Sequence, residues 1–561
     1  MPERIFIAVA WPYANSSLHL GHIAGTYLPA DIFARYHRLK GNDVLMVSGS
    51  DWHGTPVTVR ADSEGKTPRE VVEHYQSEFE ESWRGLGISW DLFTHTGTPN
   101  HQTTVHEIFD RLLESGLLYK GSMSMPYSLV DQRFLPDRYV TGTCPHCRYD
   151  SARGDQCDDC GRQLDAKDLL DIRSVISGDT PEFRDTEHFF LKLSAFQTEL
   201  EQWISAQEHW RPNVRNFSLG YLRDGLQDRA VTRDLTWGVP IPTEGYEGKR
   251  IYVWFEAVMG YLSAAKQWAE GQGNPEAWRE FLEGNAKAYY FMGKDNIPFH
   301  TIIWPAILMG LDQGLNLPYD VAANEYLNLQ GLKFSKSRNW AVWVPEYLER
   351  FAPDPLRYVL SVIMPDSSDS DFRWQEFLRR NNDELVATYG NLVNRVLSFT
   401  HRAFDGRIPD PGDMSTFDNP TRELIAATDK ALRTVDELLG LTKFKAAINA
   451  AMRLAHDGNR YLEEQSPWKT VKTDRAAAAR SLWAGCYVIS GLKTLMYPFM
   501  PFSSQQVHEH LGLGGSIEDA GWCIQSPEPG RSFEKPTPLF QKLDEEEVAR
   551  DMKSILTEPE A

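Results

Sequence analysis

The sequence predicts an α/β protein: a doubly wound parallel-sheet domain that carries a cysteine-rich insertion and is followed by an α-helical bundle. Three observations support this fold class. The chain opens with strand, helix and strand patterns in succession. Two pairs of cysteines interrupt the later strand-like runs, and beyond about residue 375 apolar residues recur at helical spacing. A chain of 561 residues has room for three or four domains of about 100–200 residues.

The first 50 residues form the predicted strand–helix–strand unit. Residues 5–10 are a short β-rich apolar run, typical of a strand buried on both faces of a parallel sheet. The run also imitates a secretory signal, but it is at the short limit for one and an organised segment follows it. Helical spacing extends over residues 20–39, with a kink expected at Pro29 and an end at Gly41. Residues 44–47 form the second strand.

The later elements define the remaining domains. Strand-like runs resume at residues 251–255 and 289–291, and a helix is predicted through 302–308. Amphipathic helices follow, such as 385–404 and 421–439, and the Pro- and Glu-rich end predicts an extended tail. The predicted divisions are 1–117 and 233–325 for the two halves of the α/β domain, 118–232 for the insertion, 326–384 for a connecting region, 385–545 for the helical domain and 546–561 for the tail.

The charge balance limits the classes of partner. The chain has 58 Lys plus Arg against 78 Asp plus Glu, a net charge of −20. Such an acidic chain is not expected to coat nucleic acid or anionic membranes, so a polyanionic partner must meet a local basic strip. No stretch approaches about 18 uninterrupted apolar residues, so no membrane span is expected. Six cysteines are too few for a disulfide framework, and we expect a reducing, cytoplasmic location.

The clustered cysteines predict a metal site. Cys144 and Cys147 form one CxxC pair, and Cys157 and Cys160 form a second pair after nine intervening residues. Four thiolates suit a tetrahedral metal, and Zn²⁺ is the usual occupant of such a site. Two disulfides or a redox-active pair are the alternatives; a reducing compartment disfavours the first and the presence of two pairs disfavours the second. Four ligands close the coordination shell, so the metal is predicted to be structural.

Two distant segments carry side chains suited to polyphosphate. His19, Gly21 and His22 lie where the first loop meets its helix, and a helix N-terminus offers N–H donors and partial positive charge. Lys333 and Lys336 lie in a later loop with hydroxyl residues between and beside them. Taken alone, the first segment could be a helix cap and the second a solvated basic loop. Neither GxGxxG nor GxxxxGK[ST] accompanies these segments.

Together the two segments resemble the HIGH and KMSKS signatures of class I aminoacyl-tRNA synthetases. Further segments resemble the methionyl-tRNA synthetase family, and the likeness extends over about residues 5–545: residues 10–15, 49–56, 134–138, 233–238, 252–257 and 293–295. The resemblance implies a Rossmann-like catalytic domain with a zinc-binding connective insertion, and an anticodon-binding helical domain. It implies a methionine–tRNA ligase that joins L-methionine to ATP and transfers the methionyl group to the terminal adenosine of tRNA(Met).

The resemblance also implies roles for individual residues. His19, Gly21 and His22 would bind ATP, Lys336 would stabilise the departing pyrophosphate with help from Lys333, and Mg²⁺ would accompany the ATP. Asp51 would hold the substrate ammonium. The remaining residues implied in methionine binding are Ala10, Tyr13, Trp254, Ala257, Tyr261 and His300, and those implied in anticodon binding are Arg402 and Trp468. Four residues depart from the family pattern near the pocket: Trp11, Trp52, Glu256 and Val258.

Three other functions remain open from the sequence: another class I synthetase, a small-molecule nucleotidyltransferase, and a zinc-ribbon RNA-binding protein. We expect a monomer, since the dimerisation module of some relatives is not present. The basic strips expected to meet tRNA are Arg211, Arg215, Arg223, Arg229 and Arg233, and Arg379, Arg380, Arg395, Arg402 and Arg407.

Overall fold

The computed structural model describes residues 2–155, 157, 159, 160, 162, 164–335, 340–546, 548 and 550. Its centre is a five-stranded parallel sheet with the spatial order Asp320–Asn324, Lys287–Gly293, Arg4–Val9, Asp43–Ser50 and Leu92–His95. The order reverses direction between Arg4–Val9 and Lys287–Gly293. Such a reversal defines a doubly wound sheet and leaves a crevice at the carboxyl ends of the strands. The predicted fold class is confirmed.

The first strand is buried on both faces, as its apolar run predicts. Ile5 and Ile7 belong to one hydrophobic core, whereas Phe6 and Ala8 belong to the core on the opposite face. All four side chains are fully buried. Alternation with period two therefore divides a continuous apolar run between two helical layers.

Helices cover both faces of this sheet. Those of the catalytic half before the insertion are Leu20–His22, Leu28–Leu39, Thr55–Glu64, Pro68–Leu86 and Pro99–Glu114. Those after it are Val253–Glu256, Gly260–Gly271, Arg279–Leu282 and Trp304–Leu311, with a π-helical turn at Phe299–Ile303. No helix in the described part of the chain is long and apolar enough to cross a membrane.

The first helix is irregular just before Pro29. Its residues Ile23–Tyr27 adopt π-helical geometry. Proline has no N–H, so the carbonyl of Gly25 loses its regular helical partner. The side-chain amide of Asn324 donates to that carbonyl at 3.1 Å, from the end of a neighbouring strand. The predicted disturbance at Pro29 is confirmed, and Gly41 ends the element with φ of +75°.

The prediction of a strand over residues 251–255 is wrong. Only Arg250–Ile251 is a strand, and Val253–Glu256 is a short helix. Val253 and Phe255 have high β propensity, but their burial in the core between helices outweighs it. The residues around 289–291 do form a strand, Lys287–Gly293, as predicted.

The insertion contains two small antiparallel sheets and two helices. The four-stranded sheet comprises Arg229–Ala230, Glu182–Leu191, Leu118–Ser128 and Arg133–Phe134, and the three-stranded sheet comprises Ala152–Arg153, Val140–Thr143 and Leu170–Ser174. The helices are Gln197–Ser205 and Pro212–Arg223. A two-stranded ribbon, Thr232–Arg233 with Arg250–Ile251, follows.

A connecting region leads to the helical domain. It contains the strands Leu327–Leu329, Leu332–Lys333 and Ser370–Phe372 and the helices Val344–Leu348 and Pro353–Val362. The helices of the domain that follows are Trp374–Arg379, Asn391–Ala403, Asn419–Gly440, Phe444–Gln465, Pro467–Thr470, Arg475–Met496, Pro501–His510 and Ile517–Ala520, with a π-helical stretch at Arg380–Gly390. Residues 551–561 of the predicted tail lie outside the described residues.

A buried carboxylate joins the first helix to the helical domain. Asp31 accepts from Arg35 Nε at 3.0 Å, from Arg357 Nη2 at 2.6 Å and from the Ser89 backbone N–H at 2.8 Å. Arg357 also donates to the carbonyl of Phe499 at 2.8 Å. Burial alone would raise the pKa of Asp31, but the two arginines hold it well below its usual range. The carboxylate is therefore ionised and fixes three parts of the chain at one point.

A second contact lies farther along the same helix. The Tyr36 hydroxyl donates to Asp436 Oδ1 at 2.9 Å, and Lys40 Nζ lies 2.8 Å from the same carboxylate. Asp436 belongs to the helix Asn419–Gly440 of the helical domain. The helix that starts at the HxGH segment is therefore held to the helical domain at two successive points.

Candidate active site and metal centre

The structure places the two signature segments in direct contact. The ring of Phe334 stacks on His19, with centroids 4.6 Å apart and planes 7° from parallel. Backbone bonds from Leu20 N to the Val342 carbonyl (3.1 Å) and from Val344 N to the Leu18 carbonyl (2.8 Å) fix the two chain segments side by side. The contact brings the lysine-bearing loop to the start of the first helix.

The backbone around the HxGH segment determines the proton positions of both histidines. His19 Nδ1 accepts from the Gly21 N–H at 3.1 Å, and His22 Nδ1 accepts from the His19 N–H at 3.1 Å. A ring nitrogen that accepts carries no proton, so each neutral ring presents Nε2–H as a donor. The rings stack with centroids 3.8 Å apart. A side chain at Gly21 would meet His19, since a Cβ there would lie 2.9 Å from its ring.

The lysine segment is described only in part. Lys336 and the two residues after it lie outside the described residues. Lys333 pairs with Asn328 in a short antiparallel ribbon, and its Nζ donates to the backbone carbonyl of Asp159 at 2.8 Å. Asp159 lies between two of the clustered cysteines, so the lysine loop contacts the predicted metal centre directly.

Three predicted methionine-pocket residues lie together at the strand ends. Tyr13 and Asp51 form a backbone bridge just beyond the first two strands. The ring of Tyr13 meets Trp254 edge-on, with centroids 6.0 Å apart, and Trp254 stacks on Phe299 at 4.4 Å. Ala10 follows the first strand, and its N–H donates to the carbonyl of Phe291 at 3.0 Å. Aromatic rings and one buried carboxylate therefore meet at the crevice.

Tyr261 and His300 form a second part of the predicted pocket. The Tyr261 hydroxyl lies 2.6 Å from His300 Nε2, and His300 Nδ1 lies 2.8 Å from the carbonyl of Asn296. The carbonyl can only accept, so Nδ1 carries the proton and Nε2 accepts from the tyrosine. Burial lowers the pKa of His300 to about 4, which keeps the ring neutral. Ala257 begins the 3₁₀ turn four residues before Tyr261.

A buried acid-histidine cluster beside Asp51 was missed by the motif comparison. Glu256 is fully buried and contacts His53 Nδ1 at 2.8 Å and His101 Nε2 at 2.9 Å. The N–H of His53 donates to Asp51 Oδ1 at 3.0 Å. Burial, with the charge of Glu256, raises the pKa of Asp51 to about 7. The only sequence signal was an acidic residue inside the apolar run 252–257.

The other departures from the family pattern lie in the walls around the crevice. Trp11 lies between two glycines: a Cβ on Gly49 would be 2.6 Å, and one on Gly260 2.8 Å, from its indole. Trp52 stacks on His95 with centroids 3.6 Å apart. Val258 is part of the core. These residues therefore shape the walls through packing.

The four clustered cysteines meet in space as their spacing predicts. Their sulfur atoms all lie within 4.8 Å of one another. Cys147 Sγ is 3.5 Å from Cys157 Sγ, and Cys144 Sγ is 4.0 Å from Cys160 Sγ. Tetrahedral Zn²⁺ with bonds of about 2.3 Å requires sulfurs about 3.8 Å apart, whereas a disulfide requires about 2.05 Å. The arrangement fits a metal and excludes the two-disulfide alternative.

The predicted anticodon residues lie on neighbouring helices. Arg402 is exposed near the end of Asn391–Ala403, and Trp468 lies in the short helix Pro467–Thr470. Arg395 covers the ring of Trp468 at 4.6 Å. Because Arg395 and Arg402 are seven positions apart, they share a helix face, and Trp468 adjoins it. Arg395 thus connects the two predicted residues.

Part of the predicted basic strips is wrong. Arg211 donates to the carbonyls of Ala323 and Thr442, and Arg233 donates to backbone carbonyls and pairs with Asp137 at 3.4 Å. Arginines that satisfy interior carbonyls are not available to bind phosphate. Arg379 and Arg380 are likewise paired, with Glu376 and Glu384.

Comparisons with known proteins agree with this geometry. The family described as "tRNA synthetases class I (M)" matches residues 5–397, and "Anticodon binding domain of methionyl tRNA ligase" matches residues 408–555. A methionine–tRNA ligase of Dehalococcoides mccartyi strain CBDB1 is 57% identical over 558 residues, covering 98% of this chain and 100% of that protein. One of Thermomicrobium roseum is 50% identical over 585 residues, covering 100% of both.

A solved structure is also similar. The Mycobacterium tuberculosis methionyl-tRNA synthetase in complex with methionyl-adenylate has a TM-score of 0.80 and 27% identity, covering 96% of this chain and 99% of that one. The doubly wound sheet and the contact between its two signatures define a class I aminoacyl-tRNA synthetase, an ATP-dependent ligase. Within that class, the chain belongs to the methionyl-tRNA synthetase family. The three alternative functions are set aside.

Proposed function

We propose that the crevice activates methionine and that His19, Gly21, His22, Lys333 and Lys336 bind and polarise the ATP. A carboxylate oxygen of methionine attacks the α-phosphorus, the bond to the β-phosphate oxygen breaks, and pyrophosphate leaves. The stack of Phe334 on His19 carries this proposal, because it brings the lysine segment to the histidine donors. Positioned donors and cations that meet developing phosphate charge are the principal means of catalysis in phosphoryl chemistry.

The methionine site is proposed at the neighbouring strand ends. Asp51 would accept the substrate ammonium, and the thioether would lie among aromatic rings, which suit a polarizable sulfur. The remaining proposed contacts are Ala10, Tyr13, Trp254, Ala257, Tyr261 and His300. In the second step the activated methionyl group passes to a ribose hydroxyl of the 3′-terminal adenosine of tRNA(Met), releasing AMP.

Methionine-dependent ATP–pyrophosphate exchange on the purified chain, followed by aminoacylation of tRNA(Met), tests this function. We expect exchange with methionine and none with leucine, isoleucine or valine. Exchange with leucine but not methionine would overturn the substrate assignment. Activity in exchange without transfer to tRNA would contradict the second step.

Methionine activation should weaken in acid because of Asp51. Burial and the charge of Glu256 raise the pKa of Asp51 to about 7. Only the ionised carboxylate attracts an ammonium, so kcat/KM for methionine should fall about tenfold per pH unit below that pKa. Pyrophosphate exchange between pH 5.5 and 8.5 measures it. In Asp51→Asn the acid limb should vanish at a lower overall level, and an unchanged limb in that variant would refute the assignment.

We propose that Zn²⁺ occupies the four-cysteine site, one ion per chain, and that Mg²⁺ accompanies the ATP. Cys144, Cys147, Cys157 and Cys160 would hold the zinc, whose role is structural because four protein ligands leave no open position. Mg²⁺ would neutralise phosphate charge during transfer. The donation from Lys333 to the Asp159 carbonyl makes the folded zinc loop part of the support of the lysine segment.

Loss of one zinc ligand should loosen both the metal loop and the lysine segment. In Cys147→Ser we expect zinc content to fall from one per chain toward zero, because binding needs all four thiolates. Amide hydrogen exchange should accelerate over residues 140–174 and at Leu332–Lys333. Cys523→Ser, at an exposed cysteine outside the cluster, is the matched control and should keep its zinc. Full zinc content in Cys147→Ser would contradict the proposed ligand set.

Arg402 and Trp468 are proposed to contact the anticodon, by charge and by base stacking. Stacking on an aromatic side chain contributes about 1–3 kcal/mol per base. The domain boundaries given above, the monomeric state and the cytoplasmic location also remain proposals. Light scattering on the purified protein would test the monomeric state.

A further inference from the structure

Glu256 is an ionised carboxylate in a fully buried position. Burial on its own would raise the pKa of Glu256, but His53 and His101 lower it. Burial would lower the pKa of His53, whereas the Glu256 carboxylate raises it. Each carboxylate oxygen contacts a different ring, at 2.8 Å for His53 and 2.9 Å for His101. A buried charge is tolerated only when such partners satisfy it.

The three side chains come from three separate elements. His53 follows Asp51 beyond the second strand, His101 lies in the helix Pro99–Glu114, and Glu256 ends the helix Val253–Glu256. His101 Nδ1 lies 2.9 Å from Ser263 Oγ in a further helix. The cluster is therefore a polar crosslink between the early and late halves of the sheet domain.

This crosslink leads directly to the proposed ammonium site. The N–H of His53 donates to Asp51 Oδ1 at 3.0 Å, so a shift of His53 moves a donor that orients the carboxylate. On the other side, Trp254 and Ala257 flank Glu256 in the chain. Glu256 thus connects the Asp51 turn to the aromatic wall across the proposed pocket.

We propose that Glu256 is a positioning residue for methionine recognition, which holds His53 and through it the Asp51 carboxylate opposite the Trp254 wall. The proposal rests on the proposed methionine site. Its ionised carboxylate is required, because a neutral amide cannot accept from both rings through two oxygens. The effect should be confined to the amino acid and should spare ATP.

The test compares Glu256→Gln, Glu256→Asp and Asp51→Asn in pyrophosphate exchange. Glu256→Gln should raise the methionine KM by about 10- to 100-fold, the range for a lost charged hydrogen bond, with the ATP KM within about twofold. Glu256→Asp restores the charge and should recover most of the loss. Methioninol, which keeps the ammonium, should lose affinity in parallel, whereas 4-(methylsulfanyl)butanoic acid, which lacks it, should not.

Two results would overturn the proposal. One is an unchanged methionine KM in Glu256→Gln; the other is an equal rise in both substrate KM values with no recovery in Glu256→Asp. Should Glu256→Gln not fold, His53→Gln removes only the link to Asp51 and is expected to give the same selective rise. Asp51→Asn separates the two proposals: if it leaves methioninol binding unchanged, the ammonium site itself is wrong. If it weakens binding and Glu256→Gln does not, only the positioning role fails.

Discussion

Replacing Lys336 with alanine should slow methionyl-adenylate formation by about 10²–10³-fold, the usual effect of losing one donor to a transition state. The residue itself lies outside the described part of the chain, but its neighbours place the segment. Phe334 stacks on His19, and Ser335 and Trp340 exchange backbone bonds at 3.0 and 2.9 Å. The segment between them therefore starts and ends beside the histidine donors. Single-turnover adenylate formation gives the rate.

Two further variants make this prediction specific. Lys336→Arg keeps the positive charge and should retain more of the rate than alanine does. Lys472→Ala removes an exposed lysine of the helical domain and should leave pyrophosphate exchange within about twofold. Methionine binding should change little in Lys336→Ala, because the lysine acts on the phosphates. Unchanged exchange in Lys336→Ala would refute the role of the segment.

Periodicity and spacing predicted much of this fold for physical reasons. A continuous apolar run of six residues fits only a strand buried on both faces, and residues 4–9 are such a strand. CxxC spacing constrains four thiolates locally, so the metal cluster needs little knowledge of the rest of the fold. Helical spacing gave the first helix, and the missing N–H of Pro29 gave its irregularity.

Partners that are distant in sequence were beyond such reasoning. Glu256 and His53 are 203 positions apart, and Asp31 and Arg357 are 326 apart. A pattern shows that a residue is buried, but not which side chain compensates its charge. For the same reason Arg211 and Arg233 were assigned to basic strips. An arginine that satisfies interior carbonyls looks the same in sequence as an exposed one.

Replacing Arg357 with alanine should lower the free energy of unfolding by about 3–5 kcal/mol, the usual effect of removing one partner from a buried ion pair. Arg357 is fully buried and donates to Asp31 and to the carbonyls of Phe499, Pro498 and Leu86. Its loss leaves an ionised Asp31 with less compensation and leaves these carbonyls without that donor. Thermal and urea unfolding measure the change.

The matched control is Arg373→Ala, whose ion pair with Asp371 is largely exposed on the arginine side, at 63%. An exposed pair contributes at most about 1 kcal/mol, so stability should barely change. Removing both buried charges, in Asp31→Asn with Arg357→Met, should recover part of the loss, because no charge then stays buried alone. Since Asp31 lies on the helix that begins at the HxGH segment, Arg357→Ala should also speed amide exchange in Leu28–Leu39 before the sheet strands. Equal stability of Arg357→Ala and Arg373→Ala would mean that this joint does not hold the helical domain to the sheet.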